Sequence, residues 1–203
     1  MEFLNLNIYL YIAAYLVGAI PFGYILAKQF AGVDIKNAGS GNIGATNVLR
    51  VVKESDPKLA KKLGIATLLL DGLKGVIILL IAKYLGANDS VLWTIAVLSV
   101  VGHCYSPFLG FEGGKGVATA AGVLFVLLPI PMIIALIVWL FSAKVLKISS
   151  LSSLIALIAM MISSYILAPH ITHAPLWIIT GIIVYKHIPN IMRIFNKSEG
   201  KVV

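Results

Sequence analysis

Apolar stretches of about twenty residues recur along this chain, at 6–27, 63–86, 91–111, 117–141, 151–168 and 175–195, and they limit its fold more than any motif does. Hydrocarbon offers no water to satisfy backbone N–H and C=O groups, so a segment of this length must close its own hydrogen bonds as a helix. Charged residues make up only 12% of the chain and mean hydropathy is +0.99, outside the range of soluble globular domains. The fold class that follows is all-α: a polytopic helical bundle integral to a membrane. The first stretch lacks a basic leader and is followed by further spans, so it reads as a retained helix and not a cleaved signal peptide. The lone Cys104 excludes an internal disulfide.

Hydropathy alone gives six peaks, but charge placement favours seven spans. If 117–141 were a single crossing, Lys144 and Lys147 would lie opposite Lys115, and the loop "APHITHA", free of Lys and Arg, would face the cytoplasm. The segment "LLPIP" resolves the conflict, because Pro129 and Pro131 each lack the donor that a continuous helix needs. Two spans meeting there put the N-terminus outside and the C-terminus in the cytoplasm. Nearly all basic residues then fall on the cytoplasmic side, and a net charge of +8 concentrated there attracts anionic headgroups and anionic solutes. Residues 1–203 read as a single transmembrane domain, with "VKESDPKLAKK" as a cytoplasmic loop.

Four polar segments stand out against this background. "AGSGNIGATN" contains the G-x-G-x-x-G pattern at 39–44, but neither a preceding strand nor a βαβ context accompanies it, so as a dinucleotide fingerprint it is weak. Its glycines let backbone N–H groups converge on an anion, with Ser40, Asn42, Thr46 and Asn47 adding side-chain donors. Asp71 and Lys74 in "LLLDGLKG" share one face of a span, where an unpaired charge would cost several kcal/mol. Pairing with each other, as a helix lock or as part of a site, is therefore expected. "GHCYSPFLGFEGGKGVATA" places Lys115 among glycines at a helix start, but Gly116 stands where a Walker A hydroxyl belongs. Near the C-terminus, "YKHIPNIMRIFNKSE" groups Lys186, Asn190 and Arg193 on one helical face with His187 beside it, and "KISSLSS" brings Lys147 and Ser150 to the same membrane side.

Taken in order, "GSGNIGATN", "LLLDGLKG", "GHCYSPFLGFEGGKGVATA", "SSLSS" and "HIPNIMR" resemble the bacterial acyl-phosphate glycerol-3-phosphate acyltransferases, the PlsY type, over nearly the whole chain. The resemblance implies a membrane enzyme of the bacterial inner membrane, with its active site on the cytoplasmic side. It would move a fatty acyl group from acyl phosphate to the 1-position of sn-glycerol 3-phosphate, giving 1-acylglycerol 3-phosphate (lysophosphatidic acid) and phosphate, the first step of phospholipid synthesis. Substrates and membrane lipids are then the partners, with no metal, no cofactor, no nucleic acid and no obligatory protein partner.

Carried onto this sequence, the resemblance assigns acyl phosphate to Gly39, Ser40, Gly41, Asn42, Gly44, Thr46, Asn47 and Lys115. Glycerol 3-phosphate falls to Arg50, Ser150, His187, Asn190 and Arg193, and the catalytic roles to Ser40, Lys115, His187 and Asn190. The H-x-x-x-x-D string of another class of glycerolipid acyltransferases is absent, since Phe108 stands five places after His103. A transporter or channel for a phosphorylated small molecule would share the basic, glycine-broken helices, although its site belongs near the midplane and the two glycine segments here are both assigned to one face. A lipid-binding scaffold without chemistry would not require so many polar groups on one side.

Overall fold

The computed structural model describes residues 2–201, and among them it contains α-helices, one 3-10 turn and a lone β-bridge between Ser106 and Glu112. The helices are α1 (Glu2–Gly18), α2 (Phe22–Ala31), α3 (Ala45–Val52), α4 (Pro57–Tyr84), α5 (Asp89–Cys104), α6 (Val117–Leu127), α7 (Pro129–Leu146), α8 (Ser149–Leu167) and α9 (Ala174–Phe195). The chain divides into two compact units, residues 1–123 and 124–203.

In the first unit α1 and α2 are two halves of one apolar run, interrupted before Pro21. α1 lies very close to α5, and the contact depends on glycine: a Cβ on Gly18 would strike the backbone of Ser99, and one on Gly102 would strike the Tyr15 carbonyl. Such backbone contact is how helices associate in lipid, where apolar burial alone drives nothing. α4 begins where the side chain of Asp56 accepts the N–H groups of Lys58 and Leu59, with Pro57 in the first turn. Its 28 residues make a rod of about 42 Å, longer than a hydrocarbon core of about 30 Å. The excess accommodates its basic first turns, with Lys58, Lys61 and Lys62.

The short amphipathic α3 turns Val48, Val51 and Val52 inward against Ile35, Ile43, Ala60 and Leu63. Full burial of each large aliphatic side chain contributes about 1.5–3 kcal/mol, so this cluster anchors the chain on both sides of the glycine loop.

α6 ends and α7 begins on either side of Leu128, whose backbone leaves the helical region with φ −137 and ψ 65. The break expected at Pro129 is therefore present. In the second unit α7 packs on α8, whose buried face is rich in serine. Ser152, Ser153 and Ser163 donate to carbonyls one turn back, which satisfies their hydroxyls without a partner helix, and Trp139 Nε1 donates to Ser153 Oγ at 3.2 Å. In α9 the buried stripe runs Leu176, Ile179, Ile183, His187, Asn190, apolar at one end and polar at the other.

Among the described residues, four helical segments are long and apolar enough to cross a membrane: Leu6–Ala31, Pro57–Tyr84, Pro129–Leu146 and Ser149–Leu167. A count of seven requires α5 (16 residues), α6 (11 residues) and α9 to cross as well.

Candidate active site

The loop between α2 and α3 is braced by one residue. Asn47, buried in the first turn of α3, accepts the Ser40 N–H at 2.8 Å through Oδ1, and its Nδ2 donates to the carbonyls of Ile35 at 3.0 Å and Ala38 at 3.1 Å. Asn42 Oδ1 accepts the Gly44 N–H at 2.9 Å, and the Gly41 N–H donates to Ala38 O. Gly39 and Gly41 hold φ of +61 and +69, which side chains with a Cβ adopt only at a cost. This corrects one expectation: both amide protons of Asn47 are engaged within the loop, so it shapes the loop and has no side-chain donor for a phosphate. The N–H groups of Ser40, Gly41 and Gly44 are occupied in the same way. What the braced loop leaves at the surface is Ser40 itself, with Thr46 and Arg50 half-buried on α3 behind it.

The second glycine segment comes to the first. Lys36 Nζ lies 2.8 Å from Glu112 Oε2 and donates to Leu109 O at 3.5 Å, and Leu109 packs on the core cluster around Ile43. Residues 32–44 and 105–116 are thus neighbours, and Lys115 stands half-buried just before α6. Beside this segment lies a buried ionic cluster in which Lys74 Nζ reaches Asp71 Oδ1 at 2.9 Å, His103 Nδ1 at 2.9 Å and Ile20 O at 3.0 Å.

In the second unit the polar end of α9 is gathered by Glu199. Its Oε1 accepts from Ser150 Oγ at 2.7 Å and from Asn190 Nδ2 at 2.6 Å, and its Oε2 accepts from Arg193 Nε at 2.7 Å. Burial alone would raise the Glu199 pKa, but the hydrogen bonds from Ser150, Asn190 and Arg193, with the Arg193 charge, hold it below the ordinary carboxylate range. Ser150, Asn190 and Arg193 are therefore brought together as expected, around a residue that the sequence reading missed. A signal for it existed, since Glu199 is the last acidic residue and no other follows Glu112.

Two atoms in this cluster carry chemical information. A carboxylate only accepts, so the Asn190 amide nitrogen must face Glu199, and Asn190 Oδ1 is then a buried acceptor without a partner among the described residues. His187 Nδ1 lies 2.7 Å from Ile183 O; a carbonyl also only accepts, so Nδ1 carries a proton, and in the neutral ring the lone pair is on Nε2.

The chain matches the glycerol-3-phosphate acyltransferase family over residues 8–197. It belongs to that family. It is 62% identical to a glycerol-3-phosphate acyltransferase of Sulfurimonas denitrificans across all of both chains, and 60% identical to that of Campylobacter lari, over 97% of this chain and 99% of the relative. Its fold matches a crystal structure of PlsY, described as an integral membrane glycerol 3-phosphate acyltransferase in its glycerol 3-phosphate form, with a TM-score of 0.85 and 38% identity over 96% of this chain and 94% of that one. The lysophosphatidic acid form of PlsY matches with a TM-score of 0.82. The loop of residues 32–47 and the segment 105–116 carry rigid turns and the Lys115 cation, and the polar end of α9 carries a guanidinium, an amide and a histidine.

Proposed function

We propose that this chain is a single-domain enzyme that transfers a fatty acyl group from acyl phosphate to the 1-hydroxyl of sn-glycerol 3-phosphate. The hydroxyl oxygen bonds to the acyl carbonyl carbon, the bond from that carbon to the phosphate oxygen breaks, and phosphate leaves with the hydroxyl proton. Ser40 and Lys115 hold the acyl phosphate on the turn that Gly41 shapes; Arg50, Ser150, His187, Asn190 and Arg193 hold glycerol 3-phosphate. The observation that carries the reading is the orphaned Asn190 Oδ1, a buried acceptor that fits a hydroxyl donor, on a helix that also carries a guanidinium suited to phosphate. An acyl phosphate is already activated, so catalysis consists mainly of positioning two anions and screening their repulsion.

Purified protein incubated with synthetic acyl phosphate and glycerol 3-phosphate should release phosphate only when both are present. Equal turnover with an acyl thioester would overturn the donor assignment, and flux of glycerol 3-phosphate across vesicles without acyl donor would favour a transporter. We further propose seven spans in the inner membrane, with the N-terminus outside and the site in the cytoplasm. In a Cys104-free protein, single cysteines at positions 58, 144 and 198 should be labelled from the cytoplasmic side alone. Labelling of position 144 from the other side restores six spans.

The position of the His187 proton favours one rival for the chemical step. With Nδ1 tied to Ile183 O, Nε2 has the lone pair of a general base. Substrate-assisted transfer, in which a phosphate oxygen of the donor takes the proton, instead predicts that His187→Asn keeps measurable single-turnover chemistry. Loss of the chemical step with both substrates bound normally, together with a wild-type rate limb near the ordinary histidine pKa of about 6.5, would make His187 the base.

A further inference from the structure

We propose that Asp71, Lys74 and His103 form a buried positioning relay that sets the conformation of the Gly113–Gly114–Lys115 segment and so places the Lys115 ammonium for its anionic ligand. The relay rests on the reading above, in which Lys115 holds the acyl phosphate.

A lysine ammonium has three protons and no lone pair, and Lys74 Nζ has three polar atoms at hydrogen-bond distance: Asp71 Oδ1, Ile20 O and His103 Nδ1. His103 Nδ1 is therefore an acceptor, and the ring proton sits on Nε2. The longer approach of Nδ1 to Asp71 Oδ1, at 3.7 Å, is then not an ion pair, because both atoms accept from the same ammonium. Lys74 thus fixes the tautomer of His103, and Asp71 balances the charge of Lys74.

The Nε2 edge of this fixed imidazole is against Gly114, so close that a Cβ at Gly114 would collide with the ring, and the Gly114 N–H donates to the His103 carbonyl at 3.0 Å. A Cβ at Gly113 would collide with the same carbonyl. On the far side of Lys115, Thr119 Oγ1 donates to the Asp71 carbonyl at 2.8 Å. Lys115 is therefore held between two anchors, residue 114 on His103 and residue 119 on Asp71, and both anchors are members of one ionic cluster. All three members are buried, with 2% exposure at Asp71 and Lys74 and 4% at His103.

A buried ion pair is a poor way to gain stability, since well-packed apolar residues of the same volume do as well or better, and at membrane depth charges are expensive. A helix lock needs no imidazole and no defined tautomer. A device that orients one loop needs both, as ligand-orienting partners do around other sites.

The test separates positioning from folding by the two substrates' KM values. In folded, monodisperse protein, His103→Ala and Lys74→Met should raise KM for acyl phosphate about tenfold while KM for glycerol 3-phosphate moves less than about twofold. His103→Gln places an amide near the Nε2 position and should recover most of that loss, whereas His103→Asn, which mimics Nδ1, should not. Should His103→Ala fail to fold, the Gln and Asn variants decide by themselves. Equal effects on both KM values, or a Gln variant no better than Asn, would overturn the relay. Lys115→Ala serves as the control: an unchanged KM for acyl phosphate there sinks the site assignment itself, while a raised KM there with silent His103 variants sinks only the relay.

Discussion

The two polar clusters are organised in opposite ways. In residues 32–44 the ordering groups are amides working on backbone, Asn47 and Asn42, and glycines at positive φ. At the end of α9 the ordering group is one carboxylate, Glu199, working on three side chains. A backbone turn has one geometry that no conservative side-chain exchange restores, whereas a carboxylate cluster tolerates partial substitution. The first region should therefore fail abruptly when mutated, and the second by degrees.

The largest effect is expected at Asn47. Replacement by Leu removes a side-chain acceptor and two donors from a buried site, and each unsatisfied partner costs about 1–3 kcal/mol. Asn47→Leu should lose activity by about a hundredfold or more and lower Tm as well. A stable, active Asn47→Leu would break the contrast at its root. Next comes Lys115→Ala, where one charge-assisted phosphate contact of about 1.5–3 kcal/mol predicts a loss of about ten- to a hundredfold in kcat/KM, with Tm unchanged.

In the second region Asn190→Leu should raise KM for glycerol 3-phosphate about tenfold, because a substrate hydroxyl loses its buried acceptor. Glu199→Gln should fall short of that. A glutamine still accepts from Ser150 and Asn190 through its oxygen, but its NH₂ group opposes the Arg193 donor. A Glu199→Gln defect larger than that of Asn47→Leu would reverse the comparison.

The pH response follows from the direction of the Glu199 shift. Its folded pKa is depressed, so its contribution to stability is fully present above the ordinary glutamate value of about 4.3 and is lost as pH falls through the folded pKa. Thermal melts of wild type and Glu199→Gln should differ by a constant amount from pH 5 to 8 and converge in more acidic buffer. A difference that grows between pH 6 and 8 would assign the cluster's proton to another group. The smallest effect belongs to the bridge between the two glycine segments. Glu112 is largely exposed and Lys36 partly so, and ion pairs open to solvent contribute about 0–1 kcal/mol, so Lys36→Ala should change kcat/KM by less than about threefold.

Much of the architecture was legible in the chain because it depends on neighbours in sequence. Apolar length predicts the helices, Pro129 marks a helix start, and the stripe ending in His187 and Asn190 follows from helical period, whereas residues 57–62, read as part of a loop, form the first turns of α4 under the Asp56 cap. The pairing of Asp71 with Lys74 was also readable, since residues three apart on a helix share a face. The C-terminal motif groups Asn190 with Arg193, and both meet at Glu199.

The assignments that changed or were missed all depend on contacts across a turn or between elements. "ATN" and "GSGN" read alike as donor-rich, yet Asn47 turns back into its own loop because Ile35 O and Ala38 O lie unsatisfied within reach of its amide. Glu199 looked like one polar residue in a tail of lysines, and it becomes the centre of a cluster only when residue 198 donates back to Arg193 O and carries it past Ser150 and Asn190. Lys74 could be assigned to Asp71 from the sequence, but not to Ile20 O or His103, which lie 54 and 29 residues away. Periodicity and backbone chemistry act over a few residues and are written in the sequence; which donor meets which acceptor across 29 or 54 residues is decided by helix packing, where a buried polar group takes whatever partner the fold brings within 3 Å.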